Sequence, residues 1–406
     1  MINNKLGIAA TAALTMGGAT LAHASPQFEA GDWTVTLDGN VNGFYTFTSC
    51  ESSPELVEGG LACTEDGSGG DSGQSNIRTG LLPAKLGVSV AREQAGYDIE
   101  AYLSYWPGID DGQDGGALGL GTANFRQVYL SFGTEQMGTL KIGRDLGIFG
   151  SDAILNDQTL LGVGAVSNAT IRGGNTSLGG IGTGYLYADW KAQVSYWSPD
   201  FQGLSFALGI MDPWDPGTLA EAGTSGVGDG EQSQPGVEGK VNFEWVGPVD
   251  VNAWASFLTQ QVTVEGADID DTVYGFDVGA RVDVQNFNFT AYYYFGSGIG
   301  TTAFLFDGFD SEGDRRDSDG GYLQAGFRIP GPNTLLSAAY GISRLDDNSP
   351  DPGTLVDRNE RWTAGVYHPL TPSLNLVAEF NHVRAKNHDG DDNTENTVAL
   401  GGVLFF

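Results

Sequence analysis

Long hydrophobic runs are missing. After residue 24 no stretch of 18 or more apolar residues occurs in the 406-residue chain, which excludes α-helical membrane spans. Cysteine is scarce too, with only Cys50 and Cys63. In an exported chain that pair reads as one disulfide closing a surface loop, because no histidine stands near either thiol to suggest a metal or catalytic site. Beyond His23, the histidines are His368, His382 and His388, and neither a Gly-x-Ser-x-Gly elbow nor a His-Glu-x-x-His motif is present. The parts for hydrolytic or zinc chemistry are absent, so no enzyme is expected. Basic residues are few: 19 Lys and Arg stand against 51 Asp and Glu, a net charge of -32. That balance argues against a nucleic-acid partner and suits cations.

What the chain does have is glycine and aromatic residues, 62 Gly, 21 Phe, 15 Tyr and 8 Trp. Such density favours many strands joined by turns, with aromatic girdles, over helices. The first 24 residues carry Lys5, a small and apolar stretch from Leu6 to Leu21, and Ala22-His23-Ala24. They read as a cleaved export signal, leaving residues 25–406 as the mature domain.

Alternation decides the fold class. In VEGKVNFEW, residues 237–245, Val237, Val241, Phe243 and Trp245 share one parity while Glu238, Lys240 and Glu244 share the other, the period of a strand with one dry face. Sixteen such segments can be marked, the second at 77–92, the sixth at 185–197 and the last at 395–406. Their connections alternate between short turns and long acidic loops along the whole chain, and the chain stops on Phe406 inside its last strand. This rhythm predicts a transmembrane antiparallel β-barrel of about sixteen strands, its apolar faces toward lipid or a neighbouring subunit and its charges lining a wet channel. Seven short and eight long connections put both termini on the short-turn side, the periplasmic side of an outer-membrane barrel.

The stretch NFRQVYLSFGTEQMGTLKIGRD (124–145), the following LGIFGSDAILNDQTLLGVGAV and the terminal strand resemble the Gram-negative general porins. The resemblance, carried by Arg126, Gln127, Gly143 and Arg144, implies a homotrimeric sixteen-stranded outer-membrane channel whose third external loop folds inward and narrows the lumen. Residues 146–184 are that loop, and the apolar character of its first half suits a segment packed against an inner wall.

With the loop go Asp145, Asp152 and Asp157 as the acidic side of a constriction. The family implies an opposing basic wall, for which Arg78, Lys85, Arg126 and Arg144 are the matching positions. Opposed charges across a narrow lumen would set up a transverse field, although the same residues could instead be ion pairs that pin the loop. Arg126 falls in phase with Val128, Leu130 and Phe132, so either a bulge shifts it or its strand faces a subunit interface. Lys191, Arg281, Arg328 and Arg361 have cleaner inward parity, as do the aromatic Trp106, Tyr292, Tyr294 and Tyr322.

No cofactor is required by this reading. Clustered carboxylates at Asp389, Asp391 and Asp392 could give Ca2+ a weak site in an external loop, without completing EF-hand spacing. The expected function is passive diffusion of ions and small hydrophilic solutes across the outer membrane, with a preference for cations, and with outer-membrane lipid and lipopolysaccharide as surroundings. The alternatives are a channel selective for one anion or sugar, and an adhesion or receptor barrel that acts through its loops.

Overall fold

The computed structural model describes residues 25–52, 57–63, 73–109, 123–166, 176–217, 233–264 and 269–406; the expected export signal, 1–24, lies outside them. Strand β1 (Gln27–Ala30) folds back as a hairpin on β2 (Trp33–Ser52). Strands β3 (Gln74–Arg78) and β4 (Lys85–Gln94) both pair with β2, at 44–48 and 34–40, and so form two halves of one wall position. The wall continues through β5 (Tyr97–Pro107), β6 (Ala123–Thr134), β7 (Gly138–Leu146), β8 (Trp190–Trp197), β9 (Leu204–Met211) and β10 (Gly236–Trp245). It goes on through β11 (Asp250–Val264), β12 (Ile269–Val284), β13 (Phe287–Ser297), β14 (Asp317–Arg328) and β15 (Leu335–Leu345). The last strands are β16 (Val356–Pro369), β17 (Leu374–Asn387) and β18 (Asp392–Phe405).

All neighbours are antiparallel, and β18 closes on β2 with Asn393 opposite Ser52 and Phe405 opposite Asn40. Phe406 and Gly39 exchange two backbone hydrogen bonds of 3.0 Å at the seam, so the terminal aromatic residue is part of the closure. The result is a closed sixteen-strand barrel. Closure leaves no sheet edge, which is what lets strands cross a bilayer. In β10, Val241, Phe243 and Trp245 lie on the exterior, 49%, 41% and 58% exposed, while Glu238 on the other parity is buried inside. An apolar exterior of this extent belongs to lipid.

The expected second strand, 77–92, is interrupted. Pro83 has no N–H to give a ladder, and residues 79–84 turn into the lumen, where Leu81 and Leu82 are buried. There Leu81 N donates to Gly162 O at 2.9 Å and Gly80 N to Asn42 Oδ1 at 2.9 Å. A side chain at Gly80 would meet Gly162 O at 2.2 Å, so this approach of the two segments requires glycine at 80. The expected sixth strand begins at Trp190 rather than 185, because Tyr185, Leu186 and Ala188 are buried as the last part of the third loop.

Cys50 and Cys63 are joined, their Cα atoms 5.6 Å apart. The segment is no surface loop, however: Val57, Leu61, Ala62 and Cys63 are buried in the long-loop mouth of the barrel. With a sequence separation of 13 between the cysteines, closing this loop is worth roughly 3 kcal/mol. Replacing both with serine should lower the unfolding free energy of the refolded barrel by about that amount, read from denaturant midpoints in detergent; an unchanged midpoint would mean that packing alone holds the segment.

Candidate pore constriction

The third loop leaves β7, forms helix α1 (Ser151–Asn156) and a 3-10 turn (Gln158–Leu161), and returns to β8. Its apolar side chains are buried, among them Ile148, Phe149, Ala153, Leu160, Val163 and Val166. Each fully buried large side chain contributes about 1.5–3 kcal/mol to holding the loop inside. Phe149, Ala153 and Leu160 share a core with Leu61, Ile299, Phe304, Leu305 and Leu355 from other long connections and with Leu345 at the end of β15.

A loop inside a barrel leaves backbone N–H groups without a ladder, and those groups need acceptors. Inward carboxylates of the wall supply them. Glu238 accepts from Ile148 N at 2.7 Å and Asp277 from Gly150 N at 3.1 Å. Glu379 accepts from Val163 N at 2.9 Å and Gly164 N at 3.0 Å, and Glu395 from Val166 N at 3.4 Å and Cys63 N at 3.2 Å. A Cβ on Gly162 would sit 1.8 Å from the Glu379 carboxylate, so the close approach requires glycine there. These charge-assisted bonds fasten the loop along β10, β12, β17 and β18.

The partly open charged side chains lie on the other side, along β2 to β10. Lys85 pairs with Asp38 at 3.2 Å, Lys141 with Asp145, and Lys240 with Asp152 on α1 at 2.7 Å, all with side chains 12–19% exposed. Aromatic rings lie under these cations. The Lys85 ammonium is 5.2 Å from the Tyr102 ring centre, Lys141 is 4.6 Å from Tyr129, and Lys240 is 5.3 Å from Trp197. Arg126 stands 5.4 Å over Trp106, and Tyr102 stacks on Tyr129 at 5.3 Å. Each contact is worth about 0.5–1 kcal/mol and fixes a long flexible side chain on the inner wall.

A model of the Gram-negative porin family matches residues 9–388. The chain belongs to that family. The porin is similar in structure to the outer-membrane channel DcaP of Acinetobacter baumannii, with a TM-score of 0.69, 16% identity, and 93% of this chain and 99% of that one covered. It is also similar to an anion-selective porin from Comamonas acidovorans, at TM-score 0.62 and 14% identity over 92% and 100% of the two chains. The trimer form of OmpT of Vibrio cholerae matches at TM-score 0.55 and 14% identity over 93% and 100%. No match was found among curated protein sequences. Family and fold make the chain an outer-membrane channel for diffusion.

The porin distributes the expected site residues in ways that parity alone does not show. Asp152 stands on α1, paired with inward Lys240 of β10. Asp145 stands on β7, on the basic wall and not the loop, where it also accepts from Gln127 Nε2 at 2.9 Å. Asp157 is buried: it caps the 3-10 turn through Thr159 N, accepts from Tyr185 OH at 2.9 Å, and pairs with buried Arg361 at 3.5 Å. Asp157 and Arg361 therefore pin the loop.

Of the basic candidates, Lys85 lines the lumen and Arg78 holds loop backbone, donating to Val166 O at 3.3 Å and Thr176 O at 3.1 Å. Arg126 is brought inside by a bulge. The pairing of β5 with β6 shifts between Ser104 and Tyr105, leaving Arg126 as the extra residue, so Phe125 points out at 62% exposure while Arg126 is buried. Arg144 is opposite Val128 on the exterior parity and is exposed, so it is not a lumen residue. Lys191 is buried against Glu238. Arg281, paired with Asp283 at 2.7 Å, and Arg328 face inward toward the short-turn end. Trp106, Tyr292, Tyr294 and Tyr322 are all inside and buried.

The residues missed are Lys141 and the rings of Tyr102, Tyr129 and Trp197. Lys141 shares inward parity with Asp145, a signal present in TLKIGRD. Of the expected Ca2+ ligands Asp389, Asp391 and Asp392, Asp392 pairs with Arg384 at 2.6 Å, and among the described residues no group of three or more potential ligands converges.

Proposed function

We propose that this porin is a passive route for ions and small hydrophilic solutes whose cation preference is set at its long-loop mouth rather than at its constriction. The carrying observation is where the charge lies. Between the strands, the seven long connections other than the third hold 24 of the 51 acidic residues and only two basic ones, Arg315 and Arg316. In the lumen, by contrast, Lys85, Lys141, Lys191, Lys240, Arg281 and Arg361 each have a carboxylate partner. A neutralised eyelet discriminates weakly, while an acidic vestibule concentrates cations before they enter.

The reading also includes a cleaved signal at 1–24, long loops and acidic mouth outside, both termini periplasmic, a homotrimer, and no chemical step. The trimer form of the Vibrio cholerae relative supports the assembly. Mouth selectivity should be screened by salt, because the Debye length falls from about 30 Å at 0.01 M to about 3 Å at 1 M. Reversal potentials across a planar bilayer are thus expected to favour cations strongly at 10 mM salt and only weakly at 1 M. Anion preference at 10 mM would overturn the proposal. It would favour the second reading, a channel selective for anions, which rests on the strip of Lys85, Arg126, Lys141 and Lys240 over aromatic rings.

A further inference from the structure

Three ion pairs stand partly open on the lumen wall, and they differ in how much hydrogen-bonding capacity their members have left. Asp38 accepts from Lys85 at 3.2 Å and from Tyr102 OH at 2.8 and 2.9 Å. Asp145 accepts from Lys141, from Gln127 Nε2 at 2.9 Å and from Leu146 N at 2.9 Å. Asp152 is different: among the described residues its carboxylate accepts from Lys240 alone, at 2.7 Å. A carboxylate can accept several hydrogen bonds and an ammonium can donate several, so both members of this pair keep most of their capacity.

The wall beside the pair is unsatisfied as well. One inward step along β10, toward the short-turn end, stands Asn242, directly opposite Trp254 of β11. Among the described residues Asn242 Oδ1 and Trp254 Nε1 are shielded atoms without a hydrogen-bond partner, and Trp254 is only 3% exposed. An orphaned acceptor and an orphaned donor side by side are costly and call for an occupant. On the other side of Lys240 lies Trp197, its ring centre 5.3 Å from Lys240 and 5.3 Å from Lys141. Its Nε1 already donates to Ser195 Oγ at 3.1 Å, so its half-buried ring offers the lumen an apolar surface.

An ammonium with an indole N–H, and a carboxylate with an amide oxygen, suit a molecule that carries both an anion and a cation. A singly charged ion engages one member of the pair and leaves the other without its counter-charge. A zwitterion engages both and orphans neither. Because Lys240 Nζ and Asp152 Oδ2 are 2.7 Å apart, its own charges must lie as close together as an ammonium and a carboxylate on one carbon. We infer that β10, β11 and α1 form a subsite for an α-amino acid. Lys240 and Trp254 hold its carboxylate, Asp152 and Asn242 hold its ammonium, and the Trp197 ring takes its side chain. The subsite rests on the reading of the lumen as a diffusion path and deepens it by naming a solute class: a neutral eyelet that separates ions weakly favours solutes bearing both charges.

The test is single-channel conductance in about 1 M KCl, where charge at the mouth is screened, titrated with L-alanine or with its uncharged isomer lactamide. Alanine is expected to lower the conductance along a saturable curve, and lactamide only in proportion to its concentration. Lys240→Gln or Asp152→Asn should raise the alanine midpoint about tenfold, the effect of losing one hydrogen bond to a charged group. Lys85→Gln, at a pair whose carboxylate is already occupied, should leave the midpoint where it was. On the unaltered protein, lactate and alaninamide, each with one of the two charges, should also bind about tenfold more weakly, so the outcome does not depend on a variant folding. Equal titrations by alanine and lactamide, or an alanine midpoint indifferent to both Lys240→Gln and Asp152→Asn, would overturn the subsite and leave the diffusion channel standing. No conductance from folded protein would overturn the channel, and calorimetric titration of the detergent-solubilised barrel with alanine against lactamide then decides the subsite by itself.

Discussion

Replacing Glu238 with leucine is expected to destabilise the barrel by about 3–5 kcal/mol, the usual cost of breaking a buried ion pair by removing one partner. Glu238 and Lys191 are in contact with side chains 3% and 1% exposed, so the substitution would leave a buried ammonium without its ion-pair partner. The same carboxylate holds Ile148 N at 2.7 Å, where the third loop leaves β7, and its loss would loosen the loop at its root. Two readouts should therefore move together: a lower denaturant midpoint in detergent and noisier single-channel current. Adding Lys191→Met should recover most of the stability, since an apolar pair of similar volume can replace a buried ion pair, while the noise persists because Ile148 N still lacks its acceptor. A Glu238→Leu barrel as stable as the parent would show that water reaches Lys191.

Several features of this fold are legible in short windows of sequence because they depend on neighbours. Period-two alternation in VEGKVNFEW places Glu238 and Lys240 inside and Val241 and Phe243 outside, as observed. Proline at 83 carries a local signal of the same kind, a missing ladder donor, yet the expected strand 77–92 runs straight through it, whereas β3 ends at Arg78 and β4 starts at Lys85. Arg126 shows the limit of that logic. Counting by twos along FRQVYLSF puts it outside, and only the shifted pairing with β5 reveals the bulge that brings both Arg126 and Gln127 inward. Arg144 is misplaced by the resemblance and not by parity: it is in phase with exterior Ile142, beside the eyelet sequence along the chain but on the opposite face of the wall.

The constriction was less legible because its bonds span long stretches of chain. Ile148 and Glu238 are 90 residues apart, Asp157 and Arg361 are 204, and Val163 and Glu379 are 216. No local pattern distinguishes a carboxylate that latches a loop from one that lines a pore. A transverse field of loop acids against wall bases was expected. Instead wall acids hold the loop through its amides, and wall bases are matched by acids on both wall and loop. The apolar character of the third loop was the more legible signal: among its described residues Ile148, Phe149, Leu160 and Val163 are buried, since burial depends on the residue type and not on which partner it finds.

The matched pair at the eyelet leads to the largest expected change in function. Lys240 on β10 and Asp152 on α1 meet at 2.7 Å with both side chains 12% exposed, so their charges cancel where solutes pass. Lys240→Glu replaces attraction by repulsion, about 4 kcal/mol at 4 Å in an effective dielectric of 20. The helix backbone should resist that force, because Gly150 N is held by Asp277 at 3.1 Å and Ala153 O by Tyr322 OH at 2.9 Å. The two carboxylates are expected to turn into the lumen instead, leaving a doubly negative eyelet. Cation preference should rise several-fold in reversal-potential measurements, and, unlike mouth selectivity, it should survive at 1 M salt because the charges lie within the path of the ion. Lys240→Gln should give a smaller shift of the same sign. If Lys240→Glu leaves the reversal potential where it was, current does not pass between β10 and α1, and the conducting path must lie along the Lys85 and Lys141 side of the wall.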